Sequence, residues 1–447
     1  MAGAENSIAY GMENRIGTRC QVCIGCGRCL TDEATQKKLR VVMTGSEKLG
    51  LGAAVEPLLY TERTEGMRLV TADIGTTTIA MQLYAADGSV EAEFSCVNPQ
   101  VRYGADVLSR IQAAQDAVRN AADDMDAGAA QIMRNMVIGK LEEGLAEFQA
   151  RLRPEETLFM VLAGNTTMGY LLLGYDTEEL GHAPFAAGHL EAQETEIAGV
   201  RTFVFPGLSA FVGGDIMAGM YACGLKEREE VTLLIDLGTN GEMVLGNRER
   251  QIACATAAGP AFEGGVNRGI WGADMVHLLA GLRKADLMDE TGLLADPYFD
   301  SGILIGDVHV TQESVRAVQL AKGAIGAGIR ILLKEYGLVS GQSDGEGAED
   351  YTGVDRVILA GGFGYYLKPE DAACIGLLPR ELAAKTISGG NTALAGALRL
   401  GRELLKENQQ TAEGIEKRLQ PGETKVLNLA EHPDFESLYL EHMEFAW

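Results

Sequence analysis

The chain has 447 residues, 46% of them hydrophobic, and a formal net charge of −25. That length allows two to four domains with sizeable cores, and the acidic balance disfavours direct binding to nucleic acid or an anionic membrane surface. No apolar run reaches transmembrane length, and Met1–Arg19 has no apolar stretch of signal-peptide length, so the cytoplasm is the expected compartment.

Residues 1–66 form a cysteine-rich segment. Cys20, Cys23, Cys26 and Cys29 fall together, and in a reducing compartment such a cluster points to a metal site rather than to disulfides. C-x2-C-x2-C is the local spacing of ferredoxin-type [4Fe–4S] ligands. Gly25 and Gly27 let the backbone curl so that the sulfurs converge. The usual pattern continues with three residues and a Cys-Pro pair, whereas here Cys29 follows after two and Leu30 comes next. A [4Fe–4S] cluster is the expected occupant, with structural zinc and a redox-active dithiol as alternatives. Cys96, Cys223, Cys254 and Cys374 are isolated and read as buried small hydrophobes.

Two short motifs then answer each other along the chain. Asp73-Ile74-Gly75-Thr76-Thr77-Thr78 and Asp236-Leu237-Gly238-Thr239-Asn240-Gly241 each lie between two apolar, strand-like runs. Each reads as strand, tight glycine turn, strand. Turns of this kind expose backbone N–H groups that can cradle phosphate oxygens, and the Asp before each turn can hold Mg²⁺ directly or through its waters. Asp-x-Gly-Thr alone occurs in many ordinary turns; its repetition with matching flanks is what points to a two-sided phosphate clamp.

The first motif belongs to residues 67–210, a first lobe with helical stretches over 104–122 and 127–152 and a strand over 157–162. The second lies in 211–400, which opens with Gly213-Gly214-Asp215 and carries the small-residue turn from Gly259 to Gly265. A helix over 312–336 follows, whose Ala and Gly stripe indicates close packing or a nearby ligand. Arg356–Ala360 reads as a buried strand ending in Gly361-Gly362-Phe363-Gly364, where a flat ring can approach the backbone closely. Residues 401–447 read as a C-terminal helical tail. Strand–helix alternation in two equivalent halves argues for a duplicated α/β fold.

With this order of motifs, residues 67–400 resemble the acetate kinase/Hsp70/actin (ASKHA) superfamily of ATP-binding proteins. The resemblance implies two RNase H-like, actin-like ATPase lobes with Mg-ATP between them. Asp73 and Asp236 would stand at the metal–phosphate end. Gly75, Thr76, Thr77, Gly238, Thr239, Asn240 and Gly241 would hold phosphates, and Gly361, Gly362 and Phe363 would lie near the adenosine. Gly164-Asn165-Thr166-Thr167-Met168, Gly259-Pro260-Ala261-Phe262-Glu263-Gly264-Gly265 and Gly390-Asn391-Thr392-Ala393-Leu394 look like signatures of the reductive activators of corrinoid enzymes, as does the ending from His432 to Phe445. That family implies an iron–sulfur centre, ATP, reduction of a Co(II) corrinoid protein of a methyltransferase system to Co(I), an upstream low-potential electron donor, and a homodimer. Its well-known members carry a longer plant-type [2Fe–2S] domain, for which the residues before Arg68 are too few.

Other residues read two ways. Asp215 is either a helix cap or a group that positions metal-bound or attacking water, and Glu263 is similar. The turn at Asn391 and Thr392 is placed facing the partner protein. Trp271 and Phe262 read as core. The rival functions are a small-molecule kinase on the same fold, an activator of a radical dehydratase, and a zinc-stapled ATP-dependent regulator.

Overall fold

The computed structural model describes residues 58–59, 64–120, 128–257, 272–306, 308–339, 351–406, 419 and 424–446. The four clustered cysteines and the 259–265 turn with Glu263 lie outside the described residues, as do Phe262 and Trp271. No helix among the described residues is long and apolar enough to cross a membrane.

Two six-stranded mixed sheets organise the chain. The first is built from β1 (Met67–Ile74), β2 (Thr78–Tyr84), β3 (Val90–Val97), β4 (Thr157–Gly164), β5 (Gln193–Ile197) and β6 (Val200–Val204), with helices α1 (Val107–Asn120), α2 (Ala129–Gln149), α3 (Thr166–Leu173) and α4 (Gly214–Cys223). The second is built from β7 (Thr232–Leu237), β8 (Gly241–Gly246), β9 (Gln251–Thr256), β12 (Arg356–Ala360), β13 (Thr386–Gly390) and β14 (Thr424–Leu427). Between β9 and β12 lie α5 (Gly272–Lys284), α6 (Tyr298–Ser301), the hairpin β10 (Ile303–Ile305) with β11 (Val308–Val310), and α7 (Gln312–Tyr336). Short helices α8 (Gly361–Tyr366), α9 (Pro369–Cys374) and α10 (Arg380–Ala383) precede β13, α11 (Thr392–Lys406) follows it, and α12 (Phe435–Glu441) comes last.

The duplication is visible in the strand order. The first sheet runs β3-β2-β1-β4-β6-β5 and the second β13-β12-β7-β8-β9-β14. In both, the first three strands of the half are an antiparallel meander, and the hairpin-bearing strand pairs in parallel with a later strand: β1 with β4, β7 with β12.

Both hairpin-bearing strands are buried on two faces, which explains their near-continuous apolar sequence. Val70, Ala72 and Ile74 face a core completed by Met133, Val137 and Leu141 of α2. Leu233, Ile235 and Leu237 face one completed by α5 and α7. Leu69 and Leu234, on the opposite faces, share a third core between the sheets with Ile216 and Met217 of α4 and Ala397 and Leu400 of α11. Two interlobe helices therefore form the middle layer. They cross so closely that a Cβ on Gly396 would stand 2.0 Å from the Ala218 carbonyl oxygen, and one on Gly219 would stand 2.9 Å from Thr392 Oγ1.

The small-residue stripe of α7 serves packing. A Cβ on Gly323 would meet Met443 at 3.1 Å and one on Gly326 would meet His442 at 2.9 Å. Lys322, fully buried, donates to the carbonyls of His442 and Glu444. The stretch 401–447 is thus built into the second half more fully than a helical tail. Helix α11 continues through position 400, and β14 extends the sheet by parallel pairing with β9. Its β-strand was hard to read because only four residues form it, on a sheet edge, with no fully buried position.

The crossing is a direct test of the middle layer. Gly396→Val is expected to lower the unfolding free energy by about 1–3 kcal/mol, the usual cost of overpacking a filled site, read from the urea midpoint. A midpoint equal to that of the parent would contradict this packing.

Candidate functional site

Asp73 and Asp236 each stand one residue before the end of their strand, at the mouths of the two hairpins. Each ladder closes just beyond them, at Ile74–Ile79 and Leu237–Gly241. Gly75 N–H donates to Thr78 O at 2.9 Å, and Gly238 N–H donates to Asn240 O at 2.9 Å. The tips meet across the cleft, with Thr77 Oγ1 and Thr239 Oγ1 3.3 Å apart.

One cleft gathers Asp73, Gly75, Thr76, Thr77, Asp215, Asp236, Gly238, Thr239, Asn240, Gly361, Gly362 and Phe363, together with Asn165, Glu242 and Asn391. Gly241 is the exception among the residues singled out from sequence. It turns into the sheet, where a Cβ would stand 2.9 Å from Thr256 Oγ1. Gly361 is needed for a close approach: its φ is +81°, and a Cβ there would lie 2.5 Å from Asp236 Oδ1. The third glycine turn and the second hairpin therefore form one wall. The cleft holds about 150 Å³, below the roughly 300–1,000 Å³ of pockets that enclose drug-sized ligands. A larger cavity of about 520 Å³ around Arg283, Asp289 and Phe299 shares none of these residues.

The interlobe helices deliver polar groups across the cleft. Asp215 follows Gly213-Gly214 at the start of α4, as Asn391 follows Gly389-Gly390 before α11. The N-cap of α4 is Gly213, so Asp215 sits inside the first turn and reaches the cleft, its carboxylate accepting Ile216 N–H at 2.8 Å. Asn391 is tied at both ends. Its Oδ1 accepts Leu394 N–H at 2.8 Å and its Nδ2 donates to Asp73 Oδ2 at 2.8 Å. The helix N–H fixes which way the amide points, because only the oxygen can accept it. Asn165 repeats the device: its Oδ1 accepts Met168 N–H at 3.0 Å and its Nδ2 donates to Thr76 Oγ1 at 3.0 Å.

Asn391 and Thr392 do not face a partner: they are 7% and 1% exposed and belong to the cleft and the helix crossing. Asn391 and Glu242 are the polar cleft residues that sequence reasoning missed. The signal for Asn391 was present in the repeated Gly-Asn-Thr at 164–166 and 390–392 and in Gly-Gly-Asp against Gly-Gly-Asn. Glu242, the second residue of β8 and the ladder partner of Asp236, carried no comparable pattern.

The cleft is strongly electronegative. Burial pushes Asp73 up to about 7, with the Asn391 hydrogen bond opposing and the Asp215 charge adding. Burial, then the charges of Asp215 and Asp73, pushes Asp236 up to about 8. Asp215 is also raised by burial, and Glu242 is raised well above the usual carboxylate range by burial and by Asp215 and Asp236. Neither Lys nor Arg is among the described residues lining the cleft. A bound cation would favour the charged carboxylates, offsetting both their burial and the lesser repulsion among them. Among the described residues no three His, Cys, Asp or Glu side chains converge as direct metal ligands. Mg²⁺ keeps several waters and takes one or two carboxylates plus phosphate oxygens, a donor set to which Asp73, Asp215 and Asp236 could contribute.

Comparison with known proteins agrees along most of the chain. A family profile described as the RACo middle region matches residues 69–228. A second, described as the C-terminal domain of RACo, the ASKHA domain, matches residues 230–270 and 265–447. The corrinoid activation enzyme RamQ of Eubacterium limosum is 28% identical over an alignment covering 92% of this chain and 74% of that protein. The [Co(II) methylated amine-specific corrinoid protein] reductase of Methanosarcina barkeri is 26% identical, with 50% of this chain and 48% of that one covered. The solved structure of a reductive activator for corrinoid, iron–sulfur protein superposes with a TM-score of 0.70 and 28% identity, over 85% of this chain and 66% of that chain.

The raised carboxylates predict a pH dependence with a definite sign. In the metal-free protein Asp73 and Asp236 keep protons that the unfolded chain, with pKa near ~4, has released. Stability is therefore lost as pH rises from that range through about 7 and 8. The melting temperature of metal-free protein is expected to fall between pH 5 and 8.5, and Asp236→Asn is expected to flatten the fall. An unchanged slope in that variant would contradict the assignment.

Proposed function

This chain belongs to the RACo family, and from that membership we propose that it is an ATP-driven reductive activator that returns the Co(II) form of a corrinoid protein to Co(I). The observation that carries the reading is the convergence of Asp73, Asp215 and Asp236 with the two glycine hairpins and the Gly361 turn in one interlobe cleft.

The cleft chemistry follows from its residues. Gly75, Thr76 and Thr77 on one side and Gly238, Thr239 and Asn240 on the other take the phosphates through backbone N–H groups and hydroxyls. Asp73, Asp215 and Asp236 would hold Mg²⁺, directly or through its waters, and would align the water for attack on the terminal phosphate, with ADP and inorganic phosphate as products. Gly361, Gly362 and Phe363 take the adenosine. Because the tips touch through Thr77 and Thr239, ATP entry and product loss reset the spacing of the lobes.

Such a cycle can drive an uphill electron transfer. Reducing Co(II) to Co(I) takes one electron at low potential. If the two nucleotide states hold the two redox states of the partner with a differential of about 5.5 kcal/mol, the effective potential moves by roughly 240 mV, since ~59 mV corresponds to ~1.4 kcal/mol for one electron. Cys20, Cys23, Cys26 and Cys29 would hold an iron–sulfur cluster, on the strength of their ferredoxin-like spacing; such a cluster would supply one-electron chemistry, with an upstream low-potential donor as its source of electrons.

The reading requires the ATPase to sense the redox state of its partner. With anaerobically purified protein, the Co(II) form of the cognate corrinoid protein is expected to stimulate ATP hydrolysis more than the Co(I) form does. Asp236→Asn should lower the rate by about 10–100-fold, the usual cost of losing a group that orients metal-bound water. Hydrolysis indifferent to the corrinoid protein in either state would overturn the reading.

A further inference from the structure

The first hairpin is held from behind by two residues that never reach the cleft. Its three tip carbonyls are each taken by a donor. Gly75 O accepts Asn98 Nδ2 at 2.9 Å, Thr76 O accepts an Arg110 guanidinium nitrogen at 2.6 Å, and Thr77 O accepts Asn98 N–H at 2.8 Å. Asn98 and Arg110 are both 0% exposed, whereas Thr76, Thr77 and Thr78 line the cleft. A trans peptide unit carries its C=O and N–H on opposite sides. Tying three consecutive carbonyls rearward therefore turns the N–H groups of Thr76, Thr77 and Thr78 toward the cleft. Successive N–H groups presented this way form an anion-binding nest.

Arg110 is itself fixed. Its Nε donates to Gly104 O at 3.0 Å and a terminal nitrogen to Gln100 Oε1 at 3.3 Å, while Gln100 Nε2 donates to Met133 O at 3.0 Å. Met168 Sδ lies 3.4 Å from the guanidinium and 3.5 Å from Asn98 Nδ2. The guanidinium stays charged at any pH the protein experiences. It places a cation one peptide unit behind a cleft whose described lining holds neither Lys nor Arg. Each hairpin is also closed by its own backbone, Gly75 N–H to Thr78 O and Gly238 N–H to Asn240 O, both at 2.9 Å.

We infer that Arg110, with Asn98, is the positioning residue for nucleotide phosphate: it orients the first hairpin's N–H groups and supplies positive charge through the peptide units without touching the ligand. The inference rests on the nucleotide reading of the cleft. It assigns the first hairpin the task of a preorganised phosphate seat at Thr76–Thr78.

The test compares a ligand with phosphates to one without. Binding of Mg-ATP and of adenosine is measured by isothermal titration for the parent, Arg110→Met, Arg110→Lys and Asn98→Ala, with folding checked by circular dichroism. Losing hydrogen bonds from a charged donor is expected to weaken Mg-ATP by about 10–100-fold in Arg110→Met, with adenosine affinity unchanged and Arg110→Lys partly restored. Equal loss for both ligands, or Mg-ATP binding unchanged, overturns the inference. If Arg110→Met does not fold, Asn98→Ala decides by the same contrast, since it removes the side-chain tether on Gly75 O. A parent protein that binds no Mg-ATP sinks the nucleotide reading itself, a result distinct from any of these.

Discussion

The crossing of α4 and α11 is the constraint on which the cleft depends. With Gly396 against the Ala218 carbonyl and Gly219 against Thr392, the two helices meet within their first two turns. Each starts beside a Gly-Gly pair whose next residue lines the cleft, so close contact in the middle layer sets where Asp215 and Asn391 stand. The helix ending the first half brings a carboxylate whose charge acts on Asp236 of the second hairpin. The helix from the second half brings an amide to Asp73 of the first. A movement of one sheet against the other must pass through this pair, and it would separate or join the very groups that respond to a cation.

The duplication is broken where the chemistry needs it. Asp73 has an amide donor, which opposes the effect of burial. Asp236 has a second carboxylate for company, which adds to it. The first hairpin's carboxylate is thus eased by the Asn391 amide and its turn is backed by a buried guanidinium, while Asp236 feels the charges of both Asp215 and Asp73. Two equal hairpins would make a symmetric clamp with no preferred direction for metal or phosphate. The substitution of Asn391 for an Asp at that position gives the clamp an orientation.

The sequence made the strongest elements legible because they obey local rules. Strands β1, β7 and β12 are short apolar runs ended by glycine turns, and α7 occupies the expected 312–336. Their convergence was legible only through repetition of the Asp-x-Gly-Thr pattern. What stayed hidden depends on distant contacts. Strand β3 is exposed over much of its length and reads as a polar edge. The stripe of small residues on α7 pointed to close packing or a ligand, and only the folded chain shows that His442 and Met443 fill it. Asn98 and Arg110 look like an unremarkable Asn-Pro turn and a helical arginine until the fold places both behind Gly75–Thr77.

If the clamp drives the movement of one electron, the most direct measurement follows that electron. The cognate corrinoid protein is prepared in its Co(II) form and mixed anaerobically with the cluster-loaded protein and a low-potential reductant, and Co(I) formation is followed by absorbance. Co(I) is expected to accumulate with Mg-ATP and to fall to the background level with Asp236→Asn or without nucleotide. Equal accumulation with and without ATP would contradict the central claim, as would none in the complete mixture.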